Sequence, residues 1–304
     1  MKTKYTHLIL LVLLSLSVKQ LYGQSSTFNL DKNTSTFIDN AQIECIYEYK
    51  VNAPLRNSTS NEKLQFVYIT ILQTNNSVSK FWDWHSFKKD SIIYSSADGL
   101  SKDSINKLTW QYFYRVRDLF TPVIFKNYPN HKITVTDETE MQDYVYTENK
   151  PEQKWELNDD TLTVCSYLCN KAITKFGGKV WAVWYCSEIP ISDGPWKLSG
   201  LPGLILKAED TTKTHTFEAI SIRKSDRPIY LDKNISQFKI DKNTFENMKQ
   251  KFEEDDTKGI SDLKGLLSSL HQKDISTIVI GEKRLLINLT TVYCPLEELE
   301  KIVK

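Results

Sequence analysis

Between residues 37 and 225 the apolar positions fall mostly in short runs with a period of two, separated by turn-forming residues. That is the pattern of strands with one covered face. Ile43 to Val51 and Leu64 to Gln73 read as strands, the second alternating through Val67, Ile69 and Ile71. Short strands are also predicted at Ser91 to Ser95, Val123 to Phe125, Ile133 to Thr136, Asp143 to Tyr146, Trp155 to Leu157 and Leu204 to Ala208. His215 to Arg223 is a strand whose phase switches: Phe217 and Ala219 share one face, Ile220 and Ile222 the other, which fits a bulge or cover on both sides. A period of 3.6 shows at Ser101 to Phe120, where Ile105, Leu108, Tyr112, Val116 and Leu119 line one helical stripe and Pro122 follows the end. Beyond Asp226 the texture changes. Lys242 to Phe252 and Ser261 to Leu270 read as short helices, Thr277 to Leu289 as strand-like, and Leu296 to Val303 as a terminal helix. No regular strand–helix alternation appears, so a doubly wound parallel sheet is excluded. The expected fold is mainly β or α+β: a curved, mostly antiparallel sheet, open or half closed into a barrel, with a few short helices.

One hairpin can be read in detail. Thr161 to Thr174 and Lys179 to Cys186 are rich in β-branched and aromatic residues and flank Gly177-Gly178. A two-residue loop pairs Phe176 with Lys179. Seven steps outward along each strand bring Cys169 opposite Cys186, at a closely spaced position compatible with a disulfide. The alternative is a pair of buried free thiols.

The second strand of this hairpin breaks the alternation. Val180, Ala182, Trp184 and Cys186 point one way, Trp181, Val183 and Tyr185 the other, and both sets are apolar. Such a strand needs cover on both sides. It is either a plain central strand or one wall of an apolar cavity, with Trp181, Trp184 and Trp196 as the candidate ligand groove. After it, Gly194, Pro195, Gly200, Leu201, Pro202, Gly203, Leu204 and Ile205 form a punctuated loop running into a strand. It reads either as a rigid turn locking the sheet or as a loop at a cavity mouth.

Charge and targeting narrow the setting. The chain has 304 residues, with 39 basic and 38 acidic side chains. Lys2 and Lys4 precede the apolar run Leu8 to Val18, and a small residue, Gly23, precedes a cleavage point. This is the layout of a secretory signal peptide, too short for a membrane anchor. Cleavage removes Lys2, Lys4 and Lys19 and no acid, taking the formal charge from +1 to −2. A nearly neutral chain of mixed sign offers no footprint for nucleic acid. The domain organisation expected is a signal peptide at 1–23, a Ser/Thr/Asn-rich leader at 24–36, a β-rich domain at 37–225 and a C-terminal extension at 226–304. No later run is apolar enough to span a membrane, so the expected location is the periplasm or the outer-membrane surface. Export permits disulfides, but five cysteines (Cys45, Cys165, Cys169, Cys186 and Cys294) leave at least one unpaired within the chain.

The string Gly200-Leu-Pro-Gly-Leu-Ile205 follows Glu188-Ile-Pro-Ile-Ser-Asp-Gly-Pro-Trp196 and precedes Glu209-Asp210. Tyr167-Leu-Cys-Asn-Lys-Ala172 and Trp181-Ala-Val-Trp-Tyr185 lie upstream. Over residues 164–210 this resembles the GLPGLI family of exported envelope proteins, whose biochemical function is not established. The resemblance implies an accessory to TonB-dependent transport or envelope assembly. It departs from that family's pattern at Cys165-Ser166 and at Cys186.

No G-x-S-x-G, H-E-x-x-H or P-loop occurs. His85, His131, His215 and His271 are scattered, no two at ligand spacing, and Glu209-Asp210 reads as a solvated pair. No catalytic set, metal site or cofactor motif is recognised. The leading expectation is therefore a non-enzymatic binding or accessory protein, with an outer-membrane protein or a hydrophobic ligand as partner. The alternatives are a hydrolase-like enzyme with a site assembled in space, and a structural subunit of an envelope complex.

Overall fold

The computed structural model describes residues 35–54, 63–96, 104, 107, 120–139, 142–232 and 237–254. The expectations for the signal peptide, residues 24–34, the elements beyond 254, Cys294 and His271 lie outside the described residues. So does most of the helix expected at Ser101 to Phe120, of which Ser104 and Lys107 are described and helical, and Phe120 is described as a buried residue outside a helix.

The strands are β1 (Ser35–Asn40), β2 (Ile43–Pro54), β3 (Lys63–Thr74), β4 (Ser79–Asp83), β5 (Val123–Lys126), β6 (Lys132–Thr139) and β7 (Gln142–Asn149). They continue with β8 (Glu156–Val164), β9 (Tyr167–Phe176), β10 (Lys179–Cys186), β11 (Leu204–Asp210), β12 (His215–Lys224), β13 (Pro228–Asp232) and β14 (Phe238–Lys239). The helices are α1 (Trp84–Ser96) and α2 (Lys242–Glu254).

Twelve strands form one sheet, in the order β14-β7-β6-β5-β4-β3-β2-β12-β11-β10-β9-β8. It consists of two antiparallel meanders, β2 to β7 and β8 to β12, joined where β12 pairs with β2. Among the described strands only β14 runs parallel to its neighbour, β7. The sheet does not close into a barrel, and β1 with β13 makes a separate two-stranded ribbon. The expected curved antiparallel architecture is the one observed.

The inner face holds the main core, including Tyr47, Tyr49, Leu72, Phe81, Trp181 and Phe217. The connection that leaves β10 crosses this face, where Lys197 meets Glu148 of β7 at 2.6 Å. On the outer face, α1 and the β1–β13 ribbon cover β4 and its neighbours. Phe87 packs edge-on against Trp82, and Ile229 joins Val78 and Phe125. The described helices make their main contacts with β3, β4, β6 and β7, so the outer face of β8 to β11 receives neither of them.

Three local differences from the sequence reading have physical causes. Ser91 to Ser95 lies in α1, not in a strand: Asp83 Oδ1 accepts the Ser86 backbone N–H at 2.7 Å and caps the first turn. The strand expected across Thr161 to Thr174 is two strands, because Cys165 (φ 50°) and Ser166 (φ 67°) turn back in the left-handed region. That conformation usually attracts Gly or Asn, neither of which is present to signal it. The phase switch in β12 is a bulge between Ala219 and Ser221 that leaves Ile220 54% exposed.

Candidate functional site

The β9–β10 hairpin has the expected register, from Phe176↔Lys179 to Asn170↔Tyr185. The ladder with β10 stops one step short of the cysteines, while on the other edge of β9 Cys169 is paired with Leu162 of β8. Cys45, Cys165, Cys169 and Cys186 are all free thiols. The expected Cys169–Cys186 disulfide is therefore corrected to two buried thiols. Burial pushes the Cys169 thiol up to about 12, which suits packing rather than nucleophilic chemistry.

The three tryptophans of the candidate groove do not share a face. Trp181 and Trp196 are buried on the inner side with ring centroids 5.7 Å apart. Trp184 is half-buried on the outer side, between Lys171 and Lys207. The strand that looked apolar on both faces thus has one face in the core and the other free of the described helices.

The loop 187–203 lies on the inner face and is held at many points. Lys126 of β5, 2% exposed, donates to the Gly194 carbonyl at 2.6 Å and the Leu198 carbonyl at 3.4 Å and forms an ion pair with Asp193. The hydroxyl of Thr74 and the amide of Gly194 both donate to Asp193, each at 2.8 Å. Trp155 Nε1 donates to the Ser199 carbonyl at 3.0 Å, and Lys197 is ion-paired with Glu148, which also meets Lys242 of α2 at 2.9 Å. Leu201, Leu204 and Ile205 are core residues, while Pro195 is buried and Pro202 exposed. A Cβ on Gly203 would lie 2.2 Å from the Cys186 carbonyl oxygen, and one on Gly194 would lie 2.8 Å from Ile205 Cβ. Gly200 has φ +100°. These residues act as a lock between loop and sheet.

Of the histidines, His215 is fully buried: Nδ1 shares a 2.9 Å hydrogen bond with the Tyr49 hydroxyl, and its backbone N–H donates to Asp210 at 2.9 Å. His131 is an exposed turn residue and His85 lies at the start of α1. Among the described residues no three His, Cys, Asp or Glu side chains are grouped to hold a metal.

The arrangement that suits acid–base chemistry lies elsewhere, on β6 and β7. Glu138 and Asp143 are directly opposed across the ladder, which places their Cβ atoms about 4.5–5.5 Å apart. Partial desolvation, then the negative charges of Asp137 and Asp143, raises the Glu138 carboxyl above the usual range against the pull of Lys249, although the residue stands exposed on the sheet. Asp143 is raised by burial and then by Asp137. Asp137 itself accepts from Thr121 at 2.6 Å and meets Lys249 of α2 at 2.5 Å. Both carboxyls are thus held above their ordinary range by desolvation and by neighbouring negative charge. Sequence reading missed this pair because Glu138 and Asp143 are five residues apart and only the hairpin register brings them together.

Comparison with known proteins gives one family match. Residues 122–247 match the model of the N-glycanase peptide, N-terminal domain. No curated protein matches the chain. Two solved structures titled PNGF-II, in space groups P21 and C2, resemble it at 17% identity with TM-scores of 0.45 and 0.43, covering 70% and 68% of this chain. The chain spans about a third of the length of those proteins, 34% and 32%. The family match replaces the resemblance to the GLPGLI family and, with it, the inferred link to TonB-dependent transport. The physical reason is visible in the loop: the GLPGLI residues meet packing and close-approach demands, so the string reports a turn and not an activity. The expectation of a non-catalytic accessory protein is overturned by the same match, which favours the hydrolase-like alternative.

Proposed function

We propose that the chain is a glycanase-type hydrolase acting on N-glycosylated peptides or proteins. The observation that carries this reading is the match of residues 122–247 to an N-glycanase N-terminal domain. The Glu138/Asp143 pair lies within that segment and supports it. In this reading Glu138, whose carboxyl is held above its ordinary range, is the acid that protonates the departing group. Asp143 is the base that activates water, and Asp137, tied to Thr121 and Lys249, keeps the local field negative. The signal-peptide layout at 1–23 supports a place of work outside the cytoplasm.

The test is mass spectrometry of a fluorescent N-glycopeptide incubated with the full chain. Free glycan and a shortened peptide are expected, with Glu138→Gln and Asp143→Asn each slowing release by about 10²-fold or more. Release should fall as pH rises through the raised carboxyl of Glu138, because the acid must be protonated. Absence of release by the unmodified chain refutes the proposal.

A further inference from the structure

The outer face of β8 to β11 carries a row of side chains that the hydrolase reading leaves unused. Register aligns Asn158 of β8, Lys171 of β9, Trp184 of β10, Lys207 of β11 and Glu218 of β12 across five neighbouring strands. Trp184 stands at the centre, with the Lys171 and Lys207 ammonium groups 5.9 Å and 5.6 Å from its ring centroid. Each lysine is tied in turn to an acid, Lys171 to Asp160 at 2.8 Å and Lys207 to Glu218 at 2.9 Å. Along the strand, Ala182 and Val180 extend the apolar surface from the indole and are also half-buried. This is the second apolar face of the strand that lacks alternation.

We infer that this row is a binding platform for a neutral oligosaccharide, with Trp184 as its stacking centre. The argument is one of chemical fit. A pyranose has an apolar face of C–H groups and a rim of hydroxyls. An indole ring offers a flat, polarisable surface to the first, and flanking ammonium and carboxylate groups offer donors and acceptors to the second. The charge of the row selects among ligands: two lysines are balanced by Asp160 and Glu218, so nothing in it favours an anion. A phosphate, a sialylated glycan or a nucleic acid would gain no net attraction there. An alkyl chain would leave the charged rim without hydrogen-bonding partners. The choice of sugar over other neutral amphipathic ligands rests on the glycanase reading. The platform is distinct from the Glu138/Asp143 pair, which lies on strands of the other meander, so it would hold a remote part of a glycan or glycoprotein.

The probe is a neutral tetramer of N-acetylglucosamine, titrated into the full chain and followed by calorimetry and by tryptophan fluorescence. Saturable binding is expected. Trp184→Ala should weaken it by about tenfold or more, and Trp184→Phe should keep most of it. Added salt should leave the affinity almost unchanged, since no net charge is neutralised. Far-UV circular dichroism of both variants checks that the sheet is intact. Equal affinity of the native chain and Trp184→Ala overturns the platform, as does absence of binding by the native chain. Release of glycan from the glycopeptide without Trp184-dependent binding also overturns it and leaves the hydrolase reading standing. Binding through Trp184 without any release upholds the platform and overturns the hydrolase.

Discussion

Replacing Lys126 by methionine tests how the loop 187–203 is held. The substitution keeps the length of the side chain and removes its charge. It leaves Asp193 buried with two of its partners, the Thr74 hydroxyl and the Gly194 amide, each at 2.8 Å. It also removes the donor to the Gly194 and Leu198 carbonyls. Breaking a buried ion pair by deleting one partner costs about 3–5 kcal/mol, because the remaining charge stays desolvated. For a domain of this size that corresponds to a melting temperature lower by about 6–20 °C. Asp193→Asn removes the charge and keeps one oxygen acceptor, for the Gly194 amide, while its NH2 group takes the place of the oxygen that accepts from Thr74. In the double variant Lys126→Met/Asp193→Asn, about 2 kcal/mol of the loss should return. Urea unfolding can be followed by tryptophan fluorescence, since Trp196 lies in the loop and Trp181 packs against it. An unchanged slope with a shifted midpoint identifies a stability effect. A loss below about 1 kcal/mol for Lys126→Met, or strict additivity of the two changes, would refute the view of this pair as the anchor of the loop.

Two further outcomes follow from the packing. Gly203→Ala places its Cβ against the Cys186 carbonyl group, which is backbone and cannot swing aside. It should cost more than the roughly 1–3 kcal/mol of ordinary overpacking and more than Gly194→Ala, a ranking that thermal melts of the two variants would check. Lys80 lies on the outer face over the Trp82 ring, with Asp90 and Asp232 beside it. Burial raises the Asp90 carboxyl to about 7 against the pull of Lys80 and Lys89, with Asp232 adding to the rise. The folded state then holds a proton that the unfolded chain has released, so stability should fall as pH rises from about 4 to about 7. Asp90→Asn should flatten that limb of the urea midpoint against pH. Identical slopes for the two proteins would count against the buried carboxyl as its source.

The sequence by itself determined the class of fold and much of its detail. Period-two runs located β2, β3, β5, β6 and β11, and the Gly-Gly loop set the β9–β10 register, because alternation and turn chemistry are local properties of the chain. The same local logic anticipated the bulge in β12. Only tertiary structure decided the rest. It curled the sheet, joined two meanders through β12 and β2, and laid the loop 187–203 across the core. It made the apparent motif of that loop a packing device, and it ended the β9–β10 ladder one step before the two cysteines. It put Trp181 and Trp184 on opposite faces with different surroundings, and it brought Glu138 to face Asp143. Those outcomes depend on which strands become neighbours and on what covers each face. They are set by pairings between residues far apart in the chain, and no short-range pattern encodes them.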